Sequence, residues 1–227
     1  MQQLRLRSLL TTGAVIGGLI VGAGAAVAQD KFFIVLDDEA SIDDLIPALT
    51  NGNATVEVDT SDAYPDDADA HAALRVDSPA GDNQKFNANI PGWAFDIVPD
   101  ATGDNEFQYI TFAWRKEGAA GIQLQLSAQP GGWSHRYHAH TNLKGWNPSI
   151  EVTGDDPSGW QVFTQDMVED WGEMVLNGMA FTPGSGDFGL FDHVVLHQSP
   201  EDPLASKAVD AKGKSAAVWA SIKQDLR

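Results

Sequence analysis

The chain of 227 residues carries 32 acidic and only 14 basic side chains, a formal net charge of −18. The negative electrostatic field of such a protein repels nucleic acid and anionic membrane surfaces, so the sequence predicts neither as a partner. The alternative explanation of the charge is that it keeps the protein soluble or adapts it to salt. There is no cysteine, which excludes disulfides, a thiol nucleophile, a lipoprotein anchor and covalent haem at a CxxCH motif.

The first 28 residues have the pattern of a secretory signal peptide. Arg5 and Arg7 precede an apolar stretch over residues 9–23, and Ala26-Val27-Ala28 is a small-x-small cleavage site. The mature chain is therefore predicted to begin at Gln29, to be periplasmic or secreted, and to have no membrane span. Retention of the segment as an anchor is the alternative, although it is short and glycine-rich for a span of about 20 apolar residues.

Short alternating runs separated by turn signals fill residues 29–199, which predicts one all-β domain. Helix is predicted only as single turns, over 42–49 and over 165–172, and loop explains the second equally well. This pattern is typical of a jelly-roll β-sandwich of two antiparallel sheets. The predicted strands are residues 32–36, 55–59, 72–77, 94–98, 107–116, 122–127, 133–140, 148–152, 160–164, 174–182 and 188–197.

Residues 107–127 are predicted to form the centre of the sandwich as a β-hairpin. Two alternating runs flank a glycine-rich connection, and each run has one apolar face. Those faces carry Ile110, Phe112 and Trp114 in the first run and Ile122, Leu124 and Leu126 in the second.

The composition changes after residue 199, where alanine, lysine and serine become common. Val218, Ile222 and Leu226 are spaced for one apolar stripe, which predicts a short C-terminal helix in a tail of residues 200–227. It is either a docking helix for a partner or a frayed tail.

Several short passages together resemble known exported domains. One set resembles the galactose-binding-like jelly rolls, to which many carbohydrate-binding modules belong; a second set resembles a domain of large exported planctomycete proteins, often found beside c-type cytochrome domains. The first resemblance implies the sandwich fold, and the second implies export and a neighbourhood of redox proteins. The first set comprises Asp37-Asp38-Glu39, residues 56–60, 73–76 and 191–196; the second includes residues 90–93, 112–116, 121–126, Arg136-Tyr137, Gly145-Trp146 and 178–183.

The resemblance to these jelly rolls also implies a structural calcium ion between the start of the domain and its last strand. The matching oxygens would come from Asp37, Asp38 or Glu39 and from Asp192, since Ca²⁺ prefers several carboxylates. The alternative is a strand-end aspartate capped by backbone amides.

Aromatic side chains near glycine-rich loops form the candidate ligand site. Trp133, Tyr137 and Trp146, with Arg136 and Asn142 nearby, could stack against sugar rings and direct hydrogen bonds to them. Packing in the core explains the rings of Trp133, Tyr137 and Trp146 equally well. Three other tryptophans, Trp93, Trp114 and Trp160, lie in apolar strand contexts and are predicted to pack in the core.

The remaining chemistry is weak in the sequence. His138 and His140 are spaced for one face of a strand, as a zinc or copper pair requires; with no third ligand apparent, surface histidines are the favoured interpretation, also for His193 and His197. No nucleophile elbow, phosphate loop or dinucleotide motif occurs.

The sequence therefore predicts an exported, non-catalytic binding module of carbohydrate-binding type. The alternative is an accessory or structural subunit of a periplasmic or membrane-associated complex, such as a redox complex. A polysaccharide lyase or hydrolase is ranked last.

Overall fold

The structure is a computed structural model that describes residues 30–65, 72–78, 84–116, 121–184 and 188–205. The predicted signal peptide of residues 1–28 and the predicted C-terminal helix lie outside the described residues. Within them, no helix has the length and apolar composition needed to cross a bilayer. The elements are β1 (Phe32–Leu36), α1 (Glu39–Leu45), β2 (Thr55–Asp59), β3 (Ala73–Asp77), β4 (Lys85–Asn87), β5 (Phe95–Ile97), β6 (Glu106–Phe107), β7 (Tyr109–Lys116), β8 (Ile122–Gln129), β9 (Gly132–Ala139), β10 (Ile150–Thr153), β11 (Gln161–Asp166), α2 (Met167–Trp171), β12 (Met174–Thr182) and β13 (Phe188–His197).

The strands form two sheets that enclose one core. The first sheet has the order β11-β7-β13-β3-β2, with β1 beside β13; the second has the order β10-β9-β8-β12-β5-β6, with β4 beside β12. Eight of the strands form the two central four-stranded parts of the sheets: β3, β4, β7, β8, β9, β11, β12 and β13. When these eight are renumbered from 1 to 8 in chain order, the strand order is 6-3-8-1 in the first sheet and 5-4-7-2 in the second. This is the strand order of a jelly roll, so the predicted jelly-roll β-sandwich is confirmed. The sheets are not wholly antiparallel, because β10 runs parallel to β9 and β5 parallel to β6.

The predicted hairpin at residues 107–127 is wrong. Strand β7 pairs with β11 and β13 in the first sheet, whereas β8 pairs with β9 and β12 in the second. The alternating apolar faces of both strands point into the core between the sheets: Ile110, Phe112 and Trp114 in β7, and Ile122, Leu124 and Leu126 in β8. Alternation tells which face of a strand is buried, but it does not tell whether the next strand lies beside it or across the core. The hairpin partner of β8 is β9, joined to it through Pro130 and Gly131.

Helix α1 begins three residues before the predicted turn because Asp38, and not Ser41, is its N-cap. The Asp38 carboxylate accepts the Ser41 backbone N–H at 2.8 Å, and the Ser41 hydroxyl accepts the Asp38 N–H at 3.0 Å. This reciprocal pair is a capping box. Pro47 lies in the 3₁₀ turn that follows α1, where it stops the helix from continuing. Helix α1 buries Ile42 and Leu45 against the sandwich.

The outer face of the second sheet is polar but largely covered. Gln123, Gln125 and Thr182 alternate with core residues and are nevertheless buried. The segment between β9 and β10 folds over this face and places the Pro148 carbonyl and the Ser149 hydroxyl against β9 side chains. This cover turns part of the sheet surface into a groove.

Candidate ligand-binding groove

One row of side chains crosses four strands of the second sheet. Arg136 on β9 lies opposite Gln125 on β8, Gln125 lies opposite Ala180 on β12, and Ala180 lies opposite Phe86 on β4. Adjacent strands are about 4.8 Å apart, so three spacings give a row of about 14 Å. The methyl group of Ala180 lies between longer side chains and forms a low floor in the middle of the row.

A β-bulge brings Trp133 to the same face as Arg136. The register runs from Leu126 opposite His135 to Ala128 opposite Gly132, so β9 has one extra residue there. An extra residue reverses which face the following side chains occupy. Trp133 therefore leaves the core face and contacts the Phe86 ring, with ring centroids 5.5 Å apart and planes nearly perpendicular.

The row and its flanks enclose a groove of about 670 Å³. Trp133 and Phe86 form one wall and Trp146, in the β9–β10 segment, forms another. The Trp146 ring is 41% exposed, more than any other large apolar side chain of the described residues. The lining consists of Gln84, Phe86, Gln125, Trp133, Arg136, Gly145, Trp146, Asn147 and Ala180.

A hydrogen-bond network fixes the polar side chains of the groove. The Gln125 Nε2 group donates to Gln84 Oε1 and to Thr182 Oγ1, both at 2.9 Å. The Gln125 Oε1 atom accepts from Arg136 Nε at 3.0 Å, and Arg136 Nη1 donates to the Pro148 carbonyl at 3.1 Å. Because each bond fixes the orientation of its neighbour, the guanidinium is held in place before any ligand arrives.

Asn142 positions the segment that carries Trp146. Its Nδ2 group donates to the Trp146 carbonyl at 2.8 Å, and the Asn142 backbone carbonyl accepts the Gly145 N–H at 3.0 Å. Gly145 has a φ of +62°, in the left-handed region that glycine adopts readily. Asn142 does not line the groove, so its predicted role is changed from ligand contact to support.

Arg136 is the charged group of the groove. Its side chain lies beneath Trp146, with the guanidinium carbon 5.3 Å from the ring centroid, and the Lys144 ammonium lies 5.6 Å from the same ring. These are cation–π distances. Arg136 is only 8% exposed, and this burial lowers the pKa of its guanidinium.

Tyr137 is part of the core, and its prediction as a ligand contact is wrong. The ring is fully buried and packs against Phe112 and Trp171. Its hydroxyl donates to Asp170 Oδ2 at 2.8 Å. Burial, then the nearby Asp170 carboxylate, raises the Tyr137 pKa well above its ordinary value.

The residues predicted to bind calcium do not form one oxygen cage. Asp38 caps α1, and Glu39 is exposed in the first turn of that helix. Asp37 Oδ1 lies 3.3 Å from His193 Nδ1, and both Asp192 oxygens accept backbone N–H groups. Within the described ranges no three His, Asp or Glu side chains are placed to hold a metal ion. Calcium binding at this end stays a prediction that these positions do not support.

Three of the four histidines considered are buried, which corrects their interpretation as surface groups. His138 Nδ1 contacts the Ser149 hydroxyl at 2.8 Å, His193 contacts Asp37 and Asp202, and His197 Nε2 lies 2.9 Å from Thr111 Oγ1. Only His140 is exposed. Each buried ring has a protein partner, as buried polar groups require.

The three tryptophans predicted to pack do so to different degrees. Trp114 is fully buried, and Trp93 packs on the core from a half-buried position. Trp160 is half-buried and donates through Nε1 to Asp62 at 2.8 Å.

No family model and no curated protein match this chain. Several solved structures do. A mutant of the carbohydrate-binding module CBM29-2 is 11% identical, with 77% of this chain and 100% of that chain covered, at a TM-score of 0.43. The family 29 module CBM29_1 from Piromyces equi is 8% identical, with 75% of this chain and 91% of that chain covered, at a TM-score of 0.37. TmCBM61 in complex with β-1,4-galactotriose is 14% identical, with 65% of this chain and 88% of that chain covered, at a TM-score of 0.33.

Proposed function

We propose that this protein is an exported, non-catalytic module that binds a saccharide in the groove of the second sheet. The supporting observation is the row from Arg136 to Phe86, with Trp133 and Trp146 as walls. Aromatic rings pack against the apolar C–H faces of sugar rings, while amide and guanidinium groups hydrogen-bond hydroxyl groups. The groove offers both kinds of contact side by side.

The dimensions of the groove favour an oligosaccharide over a single sugar. The row extends over three strand spacings, about 14 Å, and the small Ala180 leaves depth along its middle. The Gln84–Gln125–Arg136 network holds the polar groups in one arrangement. A preorganised site loses less side-chain entropy on binding, which favours affinity.

The chemistry of the lining supports binding over catalysis. Indole, phenyl, amide and guanidinium groups line the groove. At neutral pH these groups orient a ligand, because none of them exchanges a proton readily. The proposal of export has a separate basis, the signal-peptide pattern of residues 1–28.

Affinity electrophoresis against a panel of soluble polysaccharides, followed by calorimetry with oligosaccharides, tests this function. We expect binding to at least one polysaccharide and a loss of about tenfold or more in affinity for Trp146→Ala and Trp133→Ala, because truncating a central aromatic contact usually costs more than ~1.4 kcal/mol.

Val162→Ala is the matched control. Val162 is 39% exposed, close to the value for Trp146, but it lies on β11 in the first sheet. Its truncation should leave binding unchanged. A protein that binds no polysaccharide, or a Val162→Ala variant as weak as Trp146→Ala, contradicts the proposed function.

The other functions predicted from the sequence stay predictions. A role as an accessory subunit of a periplasmic or membrane-associated complex requires a stable protein partner, which co-purification from native membranes would detect. A lyase or hydrolase requires release of shortened products from a polysaccharide.

A further inference from the structure

Arg136 is a buried cation whose partners in the described part of the chain are all neutral. Its Nε donates to an amide oxygen and its Nη1 to a backbone carbonyl. Among the described residues it forms no ion pair with a carboxylate. Arg75 shows the usual arrangement in this acidic protein: it is more exposed and pairs with Glu57, Asp59 and Asp77.

This arrangement needs an explanation because burying a charge is costly. A buried cation is normally paired with an anion, since the low dielectric of the interior strengthens both the penalty and the attraction. In a chain with 32 acidic side chains, a carboxylate would be the common neighbour. The described residues that line the groove instead include one formal charge, and it is positive.

The guanidinium also keeps unused donors. Nε and one Nη1 hydrogen are occupied by Gln125 and Pro148. The structure places no acceptor among the described residues at Nη2, so its two N–H groups and the second Nη1 hydrogen are left. Such a planar pair of donors matches the two oxygens of a carboxylate or a sulfate group.

We propose that the saccharide bound in this groove is acidic, with the carboxylate of a uronic acid or a sulfate ester placed against Arg136 beneath Trp146. This inference rests on the proposed function and narrows it to one class of sugar. Lys144, at the same ring, adds a second positive charge near the mouth of the groove.

The overall charge of −18 does not prevent this binding. At physiological ionic strength the screening length is about 8 Å, so distant carboxylates are largely screened. A contact inside the groove is screened much less, because little water separates the charges. The local guanidinium therefore dominates once the ligand is seated.

The test compares each acidic sugar with its uncharged counterpart. Calorimetry on the mature protein would use oligogalacturonate, the same oligosaccharide with its carboxylates methyl-esterified, a sulfated galacto-oligosaccharide and its neutral parent. We expect one acidic sugar to bind about tenfold or more tightly than its uncharged counterpart, as charge-assisted hydrogen bonds predict. A preference for oligogalacturonate over its methyl ester identifies a carboxylate ligand, and a preference for the sulfated sugar over its parent identifies a sulfate ester.

Variants of Arg136 locate the preference. Arg136→Gln should lose the preference for the acidic sugar, and Arg136→Lys should recover part of it, because lysine keeps the charge without the planar donors. The methyl-ester comparison needs no variant, so it remains decisive even if Arg136→Gln folds poorly.

The outcomes separate this inference from the function on which it rests. If neutral sugars bind as tightly as acidic ones, and Trp146→Ala abolishes that binding, the acidic ligand is refuted and the saccharide-binding function stands. If neither these sugars nor any polysaccharide of the panel binds, the function itself fails and the inference fails with it. If only neutral polysaccharides of the panel bind, the inference alone is refuted.

Discussion

The buried cationic side chains of this protein include Lys116, His193 and Arg136. Two of them, His193 in the first sheet and Arg136 in the second, have opposite surroundings. His193 on β13 is 2% exposed and lies between two carboxylates, with Nε2 2.7 Å from Asp202 and Nδ1 3.3 Å from Asp37. Arg136 on β9 is 8% exposed and donates only to uncharged oxygens among the described residues. The first charge is neutralised by the fold itself, and the second is not.

The position of each cation explains the difference. His193 connects three parts of the chain: the end of β1 at Asp37, the last strand, and the segment after it at Asp202. It lies at a bulge in β13 and has a φ of +54°, a strained conformation for a residue with a side chain. Arg136 faces a groove of about 670 Å³. A cation neutralised by the chain stabilises the fold, whereas an uncompensated one in a groove can attract an anionic ligand.

The pKa values of the His193 cluster follow from this pairing. Burial by itself lowers the pKa of His193, but hydrogen bonds to Asp202 and Asp37 outweigh it and raise the pKa to about 10. Burial raises the pKa of the neighbouring Asp192 to about 7, even though two backbone N–H groups favour its ionised form. His193 is therefore charged at neutral pH and acts as the counter-ion of this cluster.

The largest effect is expected from His193→Asn. Asparagine tolerates the left-handed backbone conformation, so the change mainly removes the cation that contacts the buried Asp37 and the half-buried Asp202. Breaking a buried ion pair from one side typically costs about 3–5 kcal/mol. Urea unfolding at pH 7 measures the free energy of unfolding. A loss below about 1 kcal/mol would show that these carboxylates do not depend on His193.

The pH dependence of stability gives the second prediction. The folded pKa of His193, about 10, lies above its unfolded value of about 6.5. Its contribution is therefore complete below about pH 6.5 and is lost as the pH rises towards 10. Asp192 also has a raised pKa, about 7, so its ionisation lowers stability between about pH 4 and 7. Above pH 7, His193 dominates this cluster.

Urea midpoints at pH 7 and pH 9.5 measure this loss. We expect the wild-type midpoint to fall over that interval and the His193→Asn midpoint to change much less, because the variant lacks the titrating ring. If the urea midpoint fell equally with pH in both proteins, His193 would not be the group that titrates in this interval. His197, whose pKa is lowered by burial, titrates below this interval and leaves the comparison unaffected.

The sequence predicted the buried faces of strands but not their neighbours. Alternation placed Leu124 and Leu126 in the core correctly, while the pairing of β8 with β9 and β12 could not be read from it. Gln125, Ala180 and Phe86 were missed as site residues for that reason. They meet only because strands distant in sequence lie side by side.

Trp133 and Tyr137 show the same limit on a smaller scale. Four residues apart on a regular strand, they would share a face. The bulge in β9 reverses that relation and sends Trp133 to the groove and Tyr137 to the core. Gly132, with a φ of +57°, lies at this bulge, where glycine is common. The Pro130-Gly131 turn explains the same glycine equally well, so the sequence does not specify the bulge. Trp146 and Arg136, by contrast, were predicted from the sequence because aromatic and cationic groups near glycine-rich loops are typical of ligand sites. Both line the groove, and their contact with a ligand stays a proposal.

The smallest effect on stability is expected from Arg136→Gln, although the same change is predicted to remove the preference for acidic sugars. It leaves the Gln125 Oε1 atom and the Pro148 carbonyl with one donor fewer, but it leaves no buried carboxylate without a partner. It also removes a charge whose burial is itself unfavourable. The two effects oppose each other, so the expected loss is about 1 kcal/mol or less in the free energy of unfolding.

Urea unfolding of Arg136→Gln beside His193→Asn compares the two cations directly. If both changes cost about the same, Arg136 is a structural cation like His193, and its neutral surroundings do not indicate a ligand. If Arg136→Gln is close to wild type in stability, the fold does not depend on this charge. The buried guanidinium then serves what enters the groove, since a charge that is costly to bury and does little to stabilise the folded state is otherwise unexplained.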